Sequence, residues 1–406
     1  MNSQVRSRQV AVALVMFAVA ALLAACGGAD QSHTEGAERG PITIGAVIAE
    51  TGVMSQYDLP AMETVKFAIE DINAHGGIDG RKLELMERDY KSDRSLAPTV
   101  TREVIDAGAD VLIVTCDFDF ASPAALVAQE DNIASFSLCA GSPRFGPKGG
   151  LPLGFSAGVV SEASAAAMAE WAYNERRWRS AYQLVDPTLR VDIDWSNGFK
   201  DRWQQLGGDF AGTNTFQNDD PSISSQISDI ERVVDKIDFI NIVSYPPGGA
   251  AAIREIRSAG IDLPILLNDA MDGTGWFEAV PDLSNTFVVD HCAYFGDDPS
   301  EQVNDLTARY KESTGEPPPS SLFIDGYVAV QMIAVAIERA GSTAGDAMAE
   351  ALADGKPVDT VLGQTTFSTD IHTSMDRPLT ISEIESGKAS FLARVTPEKV
   401  PEIVLK

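Results

Sequence analysis

The sequence predicts an α/β fold made of two lobes, each with a parallel β-sheet covered by helices. Two observations support this prediction. From residue 42 onward, short apolar runs alternate with amphipathic helical segments, a pattern typical of parallel sheets flanked by helices. The alternation starts afresh near Ser161, so the chain carries two such series. With 406 residues, the chain is long enough to bury two separate cores.

The first series alternates strongly between buried strands and amphipathic helices. The run 111–114 is continuously apolar, as strands buried on both faces tend to be. Helix 60–73 places its apolar side chains on one face, and the glycines at 76, 77 and 80 end it and turn the chain into the next strand. We predict strands at 42–48, 83–86, 111–114 and 134–138, and helices at 60–73, 95–107 and 124–131.

The second series repeats the pattern and is followed by a different kind of sequence. We predict strands at 181–185, 210–216, 239–243 and 265–267, and helices at 162–176, 196–206, 222–235 and 250–259. Two further helices, 302–314 and 322–340, precede a tail rich in β-type sequence from 365 to 405. Because no long linker separates the two series, we expect the chain to cross between the lobes several times.

The N-terminus predicts export and lipid anchoring. Arg6 and Arg8 precede an uncharged apolar run, 10–25, which is typical of a signal peptide rather than a membrane-spanning helix. The run ends in Leu-Ala-Ala-Cys-Gly, which is similar to a bacterial lipobox with Cys26 as the lipidated residue. We therefore expect a signal peptide at 1–25, a lipidated flexible tether at 26–41, and a protein anchored by lipid on the outer face of the cell membrane or in the periplasm. The alternative is ordinary signal cleavage beside an incidental cysteine.

Charge and motif content exclude several function classes. A net charge of −28 opposes binding to nucleic acid or to an anionic membrane surface. The chain has no Cys-x-x-Cys spacing, no clustered histidines and no complete EF-hand loop, so we expect no metal site. No Gly-x-Gly-x-x-Gly follows the first strand and no Walker sequence occurs, so we expect no cofactor.

Several motifs together carry a resemblance to a known family. They are Ile44-Gly45-Ala46 before Thr51-Gly52, the Tyr57 loop, the segment DINAHGGIDGR at 71–81, Tyr245 before two prolines, Asp325-Gly326-Tyr327, and the segment VDTVLG at 358–363. This pattern resembles the type I periplasmic solute-binding proteins of ABC importers, specifically the leucine/isoleucine/valine (branched-chain amino acid) binding group. The glycine-rich segment at 71–81 is its most specific part.

The resemblance implies a Venus-flytrap architecture of two Rossmann-like lobes joined by three hinge crossings, near 155–157, 294–296 and 377–379. It implies an N-lobe at 42–156 plus 297–378 and a C-lobe at 157–296 plus 379–406. The ligand is expected between the lobes, at the carboxyl ends of the strands. The implied function is a substrate-binding lipoprotein that captures an amino acid or a related small nitrogenous solute for an ABC importer permease.

The resemblance also assigns candidate ligand-binding residues. Tyr57, Tyr245 and Trp195 would be aromatic walls of the cleft, although Trp195 could equally pack at a helix start. Asp269, at the end of a strand, would hold an ammonium group or act as a helix N-cap, with Asp272 as the nearest substitute. The remaining candidates are Ser122 at a predicted helix start, and Cys139, Gly141 and Ser142 after the strand 134–138.

The sequence departs from the family pattern in one segment. Asp117 and Asp119 stand where serine or threonine is expected, and no lysine or arginine is evident at the predicted strand ends. We therefore count Asp117 as a ligand-binding candidate and expect a ligand with a positively charged or strongly donating nitrogen.

Cys116 and Cys139 follow two successive strands that we expect to lie side by side. Neighbouring strands are about 4.8 Å apart, so a disulfide is geometrically possible. Two reduced, buried thiols are the alternative.

Two other functions stay open from the sequence. A sensory lipoprotein would bind the same ligand and signal to a membrane partner. A secreted serine hydrolase would use Ser156, which lies in a Gly-x-Ser-x-Gly match with His372 downstream. That motif needs a strand before the serine and a helix directly after it, and the residues before Ser156 are a poor strand.

Overall fold

The computed structural model describes residues 40–405. The strands are β1 (Ile42–Ile48), β2 (Leu83–Asp89), β3 (Val111–Val114), β4 (Ser135–Ser137), β5 (Gly154–Val159), β6 (Ser180–Val185), β7 (Asp209–Thr215), β8 (Phe239–Val243), β9 (Ile265–Leu267), β10 (Thr286–Asp290), β11 (Val358–Thr360), β12 (Gly363–Thr365), β13 (Thr373–Ser374), β14 (Leu379–Glu385) and β15 (Lys388–Val395). The helices are α1 (Ser55–Ala74), α2 (Ala97–Asp106), α3 (Phe118–Glu130), α4 (Ser161–Asn174), α5 (Arg190–Leu206), α6 (Ser224–Glu231), α7 (Gly248–Ser258), α8 (Glu301–Thr314), α9 (Asp325–Ala340) and α10 (Gly345–Leu352).

The first sheet is wholly parallel and forms the N-lobe. Its order is β13-β5-β4-β3-β1-β2. The central strand β3 is completely buried, as its apolar sequence predicts. Helices on both faces complete one large apolar core.

The second sheet forms the C-lobe and is mixed. Its order is β15-β14-β10-β9-β8-β6-β7, with β14 and β15 antiparallel to their neighbours. These two strands come from the C-terminal tail, which returns along the edge of the sheet. The prediction of a parallel sheet is therefore correct for β6 to β10 and wrong for this edge, where β14 runs antiparallel to β10. A tight turn at 386–387 then makes β15 antiparallel to β14.

A buried cluster of charged side chains lies where the chain crosses between the lobes, and we call it the hinge cluster: His291, Asp325 and Arg377. His291 Nδ1 lies 2.6 Å from Asp325 Oδ2, and Arg377 Nη2 lies 3.5 Å from Asp325 Oδ1. Arg377 Nη1 also donates to the carbonyl of Ala157 at 2.6 Å. The cluster thus joins β5, the end of β10 and the segment before β14.

The glycine-rich motif behaves as the sequence predicts. Helix α1 ends at Ala74, and Gly76, Gly77 and Gly80 all adopt positive φ angles. A side chain at Gly77 would collide with the carbonyl of Arg81, so only glycine fits there. The motif turns the chain directly into β2.

Helix α9 packs in the middle of the N-lobe. Within the described residues, segment 321–340 is the one helix with the length and composition of a membrane crossing, and it is mostly buried in the protein, as a core helix is. Gly326 lies against α1 so closely that a Cβ would collide with the carbonyl of Ala61. This contact explains the glycine of the Asp-Gly-Tyr motif.

Candidate functional site

A cavity of about 330 Å³ opens between the two lobes, at the carboxyl ends of the strands. Six of the nine predicted ligand-binding residues line it. They are Tyr57, Asp117, Cys139, Gly141, Tyr245 and Asp269. Its size lies within the range of small-molecule sites, so it can enclose a ligand of roughly amino-acid size.

Asp58 organises the N-lobe wall of the cavity. It is fully buried, and its carboxylate accepts from the backbone of Ala49 at 2.7 Å, the backbone of Cys116 at 2.9 Å and the hydroxyl of Thr115 at 2.6 Å. Burial raises the pKa of Asp58 to about 6, and the hydrogen bonds oppose that shift. The side chain ties α1 to the ends of β1 and β3, and so positions Tyr57 beside it.

Tyr57 reaches across the cleft. Its hydroxyl donates to the carbonyl of Ala270 in the C-lobe at 3.3 Å. Burial raises its pKa, and the carboxylates of Asp192 and Asp117 add to the shift. The phenol therefore stays protonated and acts as a neutral donor.

Asp117 is the N-cap of α3, so this helix begins about six residues, or nearly two turns, earlier than predicted. Its Oδ1 accepts from the backbone of Asp119 at 2.8 Å, which is the usual geometry of an aspartate cap. Its φ angle of 71° lies in the left-handed region, which is uncommon for a residue other than glycine. The side chain is 8% exposed, and Oδ2 has no hydrogen-bond partner among the described residues. Burial raises its pKa to about 7, with Asp119 adding to the shift.

The prediction for Ser122 is wrong for the same reason. Because α3 starts at Phe118, Ser122 lies inside the helix and not at its N-terminus, and it does not line the cavity. The helix start that Ser122 was expected to mark is instead formed by Asp117.

Cys116 and Cys139 form a disulfide that links the ends of β3 and β4. Both residues line the cavity. The bridge joins the segment that carries Asp117 to the loop that carries Gly141, so it braces the N-lobe wall.

Tyr245 and Asp269 form the C-lobe wall. Asn218 supports Tyr245 by donating to its carbonyl at 2.8 Å. Burial raises the pKa of Tyr245 to about 12, helped by Asp186 and Asp192. Asp269 is 8% exposed; Oδ2 accepts from Ser164 at 3.0 Å, and Oδ1 has no partner within residues 40–405. Burial also raises the pKa of Asp269.

Trp195 and Ser142 do not line the cavity, and Trp195 packs in a helix, which is the alternative that the sequence left open. Helix α5 begins at Arg190, so Trp195 lies inside it, fully buried and stacked on Phe199 at 5.3 Å. Ser142 is also fully buried, and its hydroxyl donates to Asp194 across the lobe interface at 2.6 Å. Both side chains therefore hold the protein together rather than line the cavity.

Asp117 and Asp119, the two acids in the segment that differs from the family pattern, have different partners. Asp119 does not line the cavity; its Oδ2 accepts from the backbone of Arg190 at 2.7 Å, at the start of α5 in the other lobe. Asp272, the predicted substitute for Asp269, accepts from the backbone and hydroxyl of Ser321 at 2.7 and 2.6 Å. Of these acids, only Asp117 and Asp269 line the cavity.

Several lining residues were not predicted from the sequence. Arg94, Thr188, Asn218 and His291 each follow the carboxyl end of a strand, β2, β6, β7 and β10 respectively. Inspecting every strand end, rather than those matching the family, would have found them. The expectation of no arginine near the site is wrong, because the guanidinium of Arg94 lies 4.2 Å from the ring of Phe120, which also lines the cavity.

The hydrolase alternative has no support in the geometry. Ser156 lies within β5 rather than at a strand-to-helix turn, is 1% exposed, and accepts from the backbone of Gly158 at 3.1 Å. His372 Nδ1 lies 3.0 Å from the carbonyl of Gly154, and its ring stacks on Phe155 at 4.0 Å.

Two α/β lobes, with a cavity between them at the carboxyl ends of their strands, define a solute-binding protein. The family comparison agrees: the periplasmic binding protein model matches residues 41–389, and the chain belongs to that family. This confirms the predicted type I, branched-chain amino acid group, a family of binding proteins and not of enzymes.

Individual relatives are distant but similar over nearly their whole length. The Leu/Ile/Val-binding protein BraC3 of Rhizobium johnstonii is 21% identical over 86% of this chain and 91% of its own. The branched-chain amino acid binding protein LivJ of Streptococcus pneumoniae, solved with isoleucine, aligns with a TM-score of 0.76 at 20% identity, covering 88% of this chain and 99% of that one. A solute-binding protein of Rhodopseudomonas palustris, solved with 3,4-dihydroxybenzoic acid, gives a TM-score of 0.71 at 17% identity, covering 89% and 99%. Proteins of this fold thus bind chemically different ligands.

Proposed function

We propose that this chain is a lipid-anchored, extracytoplasmic substrate-binding protein of an ABC importer, and that it captures an amino acid or a related small nitrogenous solute in the cleft. The observation that carries the proposal is Asp269, a buried carboxylate that lines the cavity and keeps one oxygen without a partner among residues 40–405. A buried carboxylate is stabilised by an opposite charge or by donors. An ammonium group supplies both.

Capture should couple to closure of the lobes. Tyr57 and Asp117 belong to one wall and Tyr245 and Asp269 to the other, so a ligand that touches both walls favours the closed state. The contact between Tyr57 and Ala270 would form in the same movement.

Calorimetry on the purified protein, with the common amino acids as probes, tests the proposal. We expect at least one to bind, and Asp269→Asn to weaken its binding about tenfold or more because a buried, charge-assisted contact is lost. Asp262→Asn is the matched control, since it removes an exposed acid near the amino end of the same strand, β9. Equal losses in both variants, or no binding of any amino acid, would contradict the amino-acid assignment.

The anchor is tested separately. Cys26 lies outside the described residues, and its lipobox-like context supports lipidation. Cys26→Ser should shift the protein from the membrane fraction to the soluble fraction, or leave its signal uncleaved. An unchanged membrane fraction would refute the anchor and leave ligand capture untouched.

Delivery to a permease distinguishes transport from the sensory alternative. Deletion of the gene should abolish cellular uptake of the labelled ligand if the protein serves an importer. A sensory protein would leave uptake intact and change only the response to the ligand.

A further inference from the structure

The cleft holds more carboxyl groups than one ammonium group needs. Asp269 in the C-lobe wall and Asp117 in the N-lobe wall both line the cavity, and each has one oxygen without a partner among the described residues. Both side chains are 8% exposed. Two separate carboxylates on opposite walls therefore face the same space.

A third carboxylate lies directly behind the wall. Asp192, in the first turn of α5, is fully buried; Oδ1 accepts from Asn268 at 2.8 Å, while Oδ2 has no partner within the described part of the chain. Burial raises its pKa, and Asp186 and Asp117 add to the shift. Its charge in turn raises the pKa of Tyr57 and of Tyr245, after the effect of burial. Asp117 and Asp192 thus bring two carboxyl groups together from the two lobes, and a cation bound beside them would favour their charged form.

The basic groups around the cavity compensate these carboxylates only from a distance: Arg94 opposes the rise in the pKa of Asp117, and His291 opposes the rise in the pKa of Asp269. Among the described lining residues, the basic side chains are Arg94 and His291. Arg94 is exposed at the mouth and lies over Phe120. His291 belongs to the hinge cluster, with Nδ1 2.6 Å from Asp325. Neither forms an ion pair with Asp117, Asp192 or Asp269.

The side-chain donors that line the N-lobe wall are those of Gln56, Tyr57 and Arg94, and Asp117 lines the same wall. Asp117 occupies the helix start itself, and its Oδ1 already takes the backbone donor of Asp119. An anion placed there would lie beside an unpaired carboxylate, which is unfavourable at short range in a buried site. A cationic nitrogen at the same place would satisfy Oδ2 of Asp117 and lie near the ring of Tyr57, where aromatic faces also attract cations.

We propose that the ligand of this cleft carries two positively charged nitrogen centres, one held by Asp269 and a second held between the lobes by Asp117 with Asp192 behind it. This inference rests on the proposed function and narrows it to a dibasic solute. The shared chemistry fits a basic amino acid or a linear diamine, and the two are separated by experiment.

Matched ligand pairs give the test without any mutation. L-ornithine and L-norvaline share a carbon chain and differ in the terminal nitrogen, as do L-lysine and L-norleucine. Calorimetry should show the dibasic member binding about tenfold tighter or more in at least one pair. Putrescine and cadaverine, tested beside them, show whether the carboxylate contributes.

Variants then locate the second nitrogen. Asp117→Asn keeps the size of the side chain and its capping oxygen, and should remove the preference for the dibasic member. Asp192→Asn should reduce it in part. Asp346→Asn is the charge-matched control, since it removes an exposed acid of the same lobe at the start of α10 and should leave the preference unchanged. Thermal unfolding of each variant verifies that it is folded.

The outcomes separate the inference from the proposed function. Equal or tighter binding of norvaline and norleucine overturns the dibasic ligand while amino-acid capture stands. Binding of the diamines alone supports the second cation and overturns the amino-acid assignment. If no probe binds, both fail. A preference that survives in Asp117→Asn overturns the placement of the second nitrogen.

Discussion

The hinge cluster and the cleft carboxylates are both buried groups of charged side chains, but they differ in how the charge is balanced. In the hinge cluster, Asp325 has His291 on one oxygen and Arg377 near the other, and all three side chains are at most 2% exposed. In the cleft wall, Asp117 and Asp269, with Asp192 behind them, each keep an oxygen that has neither a hydrogen bond nor an ion pair among the described residues. Asp325 Oδ1 also accepts no hydrogen bond, but the guanidinium of Arg377 lies 3.5 Å from it.

The difference separates buried charge that serves the fold from buried charge available to a ligand. A compensated cluster is strongly destabilised when one member is removed, because its partner is then left buried and alone. An uncompensated carboxylate already bears that cost, so neutralising it relieves the fold and weakens binding. Each prediction below tests one side of this contrast.

The largest effect is expected in the hinge cluster. Arg377→Met should lower the free energy of unfolding by about 3–5 kcal/mol, because Asp325 stays buried after losing its guanidinium partner. Denaturant unfolding of the ligand-free protein measures this change. Arg339→Met is the control: its ion pair with Asp354 is partly exposed, at 3.8 Å, so its loss should lower stability much less than the loss of Arg377. A similar small loss in both variants would mean that the hinge cluster is not a structural element.

An intermediate effect of opposite sign is expected at Asp117. Its pKa in the folded protein, about 7, lies above the ordinary value of 3.8, so the folded state holds the proton more tightly than the unfolded state. The contribution of this group to stability is therefore present at low pH and is lost as pH rises from about 4 to about 7. Asp117→Asn cannot ionise at this position. Its free energy of unfolding should therefore exceed that of the wild type by on the order of 1–4 kcal/mol near pH 8, and by less near pH 5.

Unfolding of both proteins at pH 5 and pH 8 measures this difference. The comparison between them isolates Asp117 from other acids that titrate in the same range, such as Glu162, whose pKa burial raises to about 8. A variant that is less stable than the wild type at both values would show that the Asp117 carboxylate supports the fold.

The smallest effect is expected at the lobe interface beside the cleft. Asp194 accepts from Ser142 at 2.6 Å and lies 3.3 Å from Arg144, both across the interface. Asp194→Asn keeps an acceptor and loses the charge, so the closed state should lose about 1 kcal/mol and ligand affinity should fall roughly fivefold. Small-angle scattering and calorimetry measure closure and affinity, with Asp201→Asn on the same helix as control. Unchanged affinity in the first variant would mean that this contact does not contribute to closure.

The sequence predicted best where the information is local. The apolar run of β3 and the glycines after α1 specify a buried strand and a helix end through the conformations of neighbouring residues. The family resemblance, together with their positions after predicted strands, predicted Tyr57, Tyr245 and Asp269 as cleft residues, and all three line the cavity. The family resemblance supplied their positions in the motifs.

The predictions of Trp195 and Ser122 as ligand-binding residues failed for one reason: the starts of two helices were placed too late in the sequence. Trp195 and Ser122 were expected near helix starts, but α5 and α3 begin about six residues, or nearly two turns, earlier than predicted. Asp119 of the N-lobe accepts from the backbone at the start of α5, and Asp117 caps α3. The former contact joins residues 71 positions apart, so no local pattern could have shown it.

By itself the sequence determined the two-lobed α/β architecture, the family and the edge of the sheets where a ligand would bind, because periodicity and turn chemistry act over a few residues. Only the tertiary structure decided which acids are compensated. Asp325, Asp119 and Asp194 find partners on distant segments, whereas Asp117 and Asp269 face the cavity with one oxygen free of partners among residues 40–405. The electrostatic role of a carboxylate depends on what lies within a few ångströms of it, and those neighbours are set by the packing of the two lobes.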